Sequence, residues 1–161
     1  MNWTRTVAIV TVLASAHAGV PAGEVSPKQK SDFLALLPTL PHQGEFLTAE
    51  GVDKGAPHVH VLFALTAQDV DDDHLYPVLA LSRGLCDRPK YRSYGVQHFS
   101  EIAHPFIKAF WAAALFNEHA ASPEIHEYLR ALLGSTEGTK TLSEIIGPAF
   151  DDFKKQVANT R

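Results

Sequence analysis

The stretch from Pro105 to Phe116 reads PFIKAFWAAALF, with Lys108 as its only charge. Apolar residues run almost all the way round a helical projection, which predicts a helix buried on every side. A spanning helix takes roughly 20 apolar residues, so this segment is too short to cross a bilayer and reads as the central helix of a globular core.

Working outward toward the C-terminus, Ser122-Pro123-Glu124 is a helix start signal. Ile125, Tyr128, Leu129, Leu132 and Leu133 follow at helical spacing, with Gly134 as a stop. Residues 134–139 (GSTEGT) read as a polar loop, after which Thr141 and Glu144 form a capping box. Leu142, Ile145, Ile146, Ala149, Phe150, Phe153 and Val157 then make an apolar stripe, which Gly147-Pro148 should kink or split.

Toward the N-terminus, Pro89 opens a helix carrying Tyr91, Tyr94, Gly95, His98, Phe99 and Ile102 at helical spacing. Before it, Asp71-Asp72-Asp73 suits a helix N-terminus, where free N–H groups and the dipole attract negative charge. Leu75, Val78, Leu79, Ser82, Leu85 and Cys86 are expected on the buried face of that helix. Residues 57–66 fit two periods. Val59, Val61, Phe63 and Leu65 alternate as in a strand, whereas Val59, Leu62, Phe63 and Thr66 fit a helix starting near Pro57. The helical surroundings favour the helix. Ser26-Pro27 pairs an N-cap with a proline at the first helical position. Phe33, Leu34 and Leu37 share one face of the helix that follows, and Pro38 and Pro41 end it.

The fold class is all-α: six to seven short helices in a compact orthogonal bundle. An alternative comes from Pro57, Pro89 and Pro123, which open helices at spacings of 32 and 34 residues. That period resembles helix-pair repeats and would make 57–157 a short α-solenoid of the HEAT or tetratricopeptide kind.

The chain begins with a single positive charge at Arg5, an uncharged stretch from Val7 to Ala18, and an Ala16-His17-Ala18 cleavage pattern. Residues 1–18 are thus expected to be a signal peptide. Residues 19–26 (GVPAGEVS) would be a flexible lead-in, and 27–161 a single helical domain. The expected location is exported, periplasmic or extracellular, with no membrane span after cleavage. Of 14 Lys and Arg, removal of Arg5 leaves 13 against 18 Asp and Glu, a formal charge of −5 that argues against nucleic-acid binding. Cys86 is the only cysteine, so an intramolecular disulfide is excluded.

Candidate chemistry is sparse. His58 and His60 would share a metal ion such as zinc on a strand but diverge on a helix, and a third ligand is needed in either case. The acids from Asp69 to Asp73 start like a calcium loop, but His74 stands where that loop needs Gly and Ala80 where it needs Glu. Glu101-Ile102-Ala103-His104 is one Glu-x-x-His where a di-iron bundle needs two. His126-Glu127 lacks the second His of a zinc-protease helix, leaving Glu127 and Arg130 to read as a surface pair. Four basic residues, Arg83, Arg88, Lys90 and Arg92, fall within ten positions and form a candidate patch for a protein or small anionic partner. The sequence contains neither a nucleophile elbow nor a phosphate-binding or dinucleotide-binding glycine loop. The expectation is an exported helical binding or scaffold protein. A His-based metal-binding protein and a hydrolase assembled only in three dimensions are the alternatives.

Overall fold

A computed structural model describes residues 24–117 and 122–160. The expected signal segment 1–18 lies outside the described residues, as does the lead-in up to residue 23. The end of that lead-in is anchored: Val25 is buried in the core and Ser26 caps the first helix.

The described chain is all-α apart from one small hairpin. The helices are α1 (Pro27–Leu36), α2 (Ala49–Gly55), α3 (Val59–Ala64), α4 (Asp72–Cys86), α5 (Pro89–Gln97), α6 (Pro105–Leu115), α7 (Pro123–Leu133), α8 (Thr136–Ile146) and α9 (Phe150–Asn159). Short 3-10 turns over Leu37–Thr39, Ala56–His58, Phe99–Glu101 and Gly147–Ala149 join several of them. Two two-residue strands, β1 (His42–Gln43) and β2 (Phe46–Leu47), pair antiparallel with His42 opposite Leu47.

Local chemistry explains most of the boundaries. Ser26 and Gln29 close a reciprocal capping box at 3.1 and 2.9 Å. The Asp71 carboxylate accepts from His74 N–H at 2.9 Å, so the acid run is a helix cap. Residues 57–64 are helical, a 3-10 turn at Ala56–His58 running directly into α3, and the chain turns extended at Leu65. One boundary differs from expectation. Residues 134–139 are not a loop, because the Ser135 hydroxyl accepts from Gly138 N–H at 3.0 Å and α8 starts at Thr136. Thr141 therefore lies inside the helix and caps nothing. At Gly147, φ reaches 68°, and the stripe splits there into α8 and α9.

Helix α6 is the central element, packing against α4, α5, α7 and α8. Trp111 is fully buried, edge-on to Phe63 at 5.0 Å, and its indole N–H donates to the buried Ser82 hydroxyl at 3.1 Å. Each large apolar side chain so buried contributes about 1.5–3 kcal/mol. The Ser82 bond matters because an unpaired buried N–H costs about 1–3 kcal/mol. Lys108 snorkels out of this apolar helix, its ammonium lying 5.1 Å from both the Phe99 and Tyr128 ring centres. The buried apolar residues form one cluster from Val25 to Val157.

The first of the three expected helix pairs does not form as a unit. α3 packs chiefly on α1, while α4 packs on α2, α5 and α6. The arrangement is a compact bundle rather than a solenoid. No helix among the described residues is long and apolar enough to cross a membrane.

Candidate functional site

The hairpin is pinned at its base. Thr48 donates its N–H and hydroxyl to the Pro41 carbonyl at 3.0 and 3.1 Å, and the same hydroxyl accepts from Gly51 N–H to cap α2. Gly44 takes φ 62° as the first residue of the two-residue turn, the position where such turns favour glycine. The hairpin thereby holds Leu47 against the core and turns Phe46 outward, 50% exposed.

Opposite the hairpin stands the outer face of α4. Tyr76, Leu79, Ala80 and Arg83 recur at i, i+3, i+4 and i+7, one helical stripe. Tyr76 is 58% exposed, and with Phe46 it accounts for the exposed large hydrophobic side chains among the described residues. Two shallow pockets lie side by side between hairpin and helix. One, of about 160 Å³, is lined by Leu37, Leu47, Tyr76 and Pro77 among others. The second, of about 110 Å³, is lined by Phe46, Leu79, Arg83 and Phe110. Glu45, Tyr76 and Ala80 border both. Arg83 lies over the Phe46 ring at 4.4 Å, a cation–π contact that orients the exposed aromatic. Leu79 is thus only half-buried, at the groove, and Leu81 takes the core place beside Val78 and Leu85.

The four basic residues between 83 and 92 each make a contact of their own. Arg83 serves Phe46, Arg88 pairs with Asp53 and donates to the Ala49 carbonyl, and Lys90 lies over the Tyr91 ring at 5.5 Å. Arg92 donates to the Cys86 carbonyl at 3.1 Å, at the C-terminal end of α4.

His58 and His60 sit on a continuous helical path, where positions two apart diverge by about 200°. The His58 ring packs on Phe33 at 5.9 Å. Among the described residues no group of three or more His, Cys, Asp and Glu is placed to hold a metal ion. Glu101 and His104 also work separately. Glu101 lies 3.0 Å from His98, while the His104 Nδ1 accepts from Phe106 N–H and caps α6. Burial holds the His104 imidazole below its ordinary pKa, favouring the neutral form that can accept this bond. Arg130 donates to the Thr160 carbonyl, tying α7 to the end of α9 instead of pairing with Glu127.

A cavity of about 380 Å³ lies between α1 and the start of α4 and is lined by Lys30, Ser31, Asp69 and His74 among others. Its charges are spoken for. One Asp69 oxygen accepts from Lys30 Nζ at 2.8 Å and from the Thr66 N–H and hydroxyl at 2.9 Å each. Burial pushes the Asp69 carboxyl up, but these donors outweigh it and hold the group below its ordinary value. A carboxylate so stabilised is a structural tie rather than a general base. Cys86 is buried, and burial pushes its thiol up, away from the thiolate form that a nucleophile needs.

Comparisons with protein-family models, with curated proteins and with solved structures return no match to this chain.

Proposed function

We propose that this chain is an exported helical binding domain whose groove between the β1–β2 hairpin and α4 takes up two apolar side chains of a polypeptide partner. The observation that carries the reading is the pair of adjoining pockets sharing a wall at Tyr76, beside exposed Phe46. Small-molecule sites usually enclose about 300–1,000 Å³ in one cavity. Pockets of about 160 and 110 Å³ suit individual side chains instead. Tyrosine and arginine, both present here, are enriched at binding hot spots. Glu45 borders both pockets and forms no ion pair among the described residues, so a lysine or arginine on the partner complements it.

Selection of a displayed peptide library on the whole chain, with counter-selection on Tyr76→Ser, tests this reading. Enriched peptides should carry two apolar residues close together and a nearby basic one. Enrichment of sequences that bind the variant equally well would contradict it. The reading of residues 1–18 as a signal peptide supports an encounter outside the cytoplasm, and N-terminal sequencing of exported material should start at Gly19. A retained Met1 on exported protein would overturn that part.

A further inference from the structure

We infer that the end of the bundle where α6, α7 and α9 meet carries a second site, for a small uncharged polyhydroxylated compound of monosaccharide size, anchored by His126. It shares no lining residue with the hairpin groove. His126 is 3% exposed, and its ring packs on Phe116 at 5.1 Å. Its buried Nε2 has no hydrogen-bond partner among the described residues. Buried polar atoms are ordinarily paired, and an unpaired one in a folded protein calls for an explanation.

The surroundings supply one. His126 lines a cavity of about 330 Å³ together with Phe116, Asn117, Gln156, Asn159 and Thr160. That volume falls within the range of about 300–1,000 Å³ typical of small-molecule sites. The chemistry of the wall is selective. It holds three carboxamides, each both donor and acceptor, and a hydroxyl that already donates to the Gln156 carbonyl at 2.8 Å and so is left to accept. Among the described residues neither an acid nor a lysine or arginine lines it, so a charged ligand would meet no counter-charge from them. Sugar hydroxyls donate and accept in the same way as the carboxamides, and the C–H face of a pyranose ring suits the aromatic wall at Phe116. Arg130 steadies the far side by holding the Thr160 carbonyl.

The test is a titration of the whole ¹⁵N-labelled chain with glucose, galactose and N-acetylglucosamine, followed by NMR at the His126 imidazole and the Asn and Gln side-chain amides. Saturable shifts at His126, Gln156 and Asn159 with at least one sugar are expected. Affinity should drop tenfold or more in both His126→Phe and Asn159→Ala. Asn159 is exposed, so its variant should keep the wild-type melting temperature and serves even if His126→Phe folds poorly. Absence of saturable shifts with all three sugars would overturn the assignment. So would shifts that persist in Asn159→Ala, or an Nε2 found bonded to water alone with no response to sugar.

Discussion

A single imidazole illustrates how position decides chemistry in this molecule. His104 caps α6 through Nδ1, which accepts from Phe106 N–H at 3.1 Å, and burial lowers its pKa from the ordinary 6.5. Where the native state resists a proton that the unfolded chain accepts, stability falls as pH falls. The loss begins as pH drops below about 6.5 and is complete below the native value. Asparagine is a good N-cap that does not titrate in this range. Between pH 7 and pH 5, the melting temperature of His104→Asn should therefore decline less than that of the wild type. Parallel pH profiles for the two would sink this account of the cap. Much at this scale is not legible in the sequence. Glu101-x-x-His104 reads equally as half a metal motif, and only the placement of His98 and Phe106 shows the two side chains employed apart. His126 reads in sequence as part of a zinc-protease pattern that position 130 breaks. That its Nε2 is buried and unpaired depends on what α6 and α9 bring alongside.

Elements pack where small residues allow it. Gly84 on α4 faces Val52 on α2, and a β-carbon there would collide with a β-branched side chain that has little room to turn. Gly55 on α2 meets Leu81 of α4 in the same way, a β-carbon falling 2.6 Å from a leucine methyl. Glycine to alanine inside a helix normally stabilises by about 0.5–1 kcal/mol. Here overpacking should reverse the sign, and Gly84→Ala should destabilise by about 1–3 kcal/mol in urea titration. A more stable variant would show that α2 and α4 are not in such close contact. Most element starts were legible, because Ser26-Pro27, Asp71, Pro89, Pro105 and Pro123 act locally. The start of α8 was not. Gly134 reads as a stop and the polar residues after it as a loop, whereas Ser135 caps a helix that opens with them. The hairpin escaped the sequence reading for another reason: two-residue strands show no alternation, and the Gly44-Glu45 turn was the one available sign.

At the scale of the whole molecule, the compact all-α class follows from periodicity centred on residues 105–116, and the solenoid alternative fails where α3 turns to α1 instead of α4. The groove could not be read the same way. Tyr76, Leu79, Ala80 and Arg83 make a stripe visible in sequence, yet it becomes a site only because the hairpin, some thirty residues earlier, sets Phe46 and Leu47 against it. The basic run 83–92 shows the converse: residues adjacent in sequence are drawn to separate partners. The reading as a binding domain accordingly rests on the groove, not on the charge cluster. Its most direct test is the affinity of a selected peptide for the wild type, for Tyr76→Ser, and for Lys155→Ser as a control on exposed α9. Tyr76→Ser should weaken binding at least tenfold, about 1.4 kcal/mol, with the melting temperature unchanged, and Lys155→Ser should bind as the wild type does. Equal affinity across all three would contradict the assignment of this groove as the binding surface.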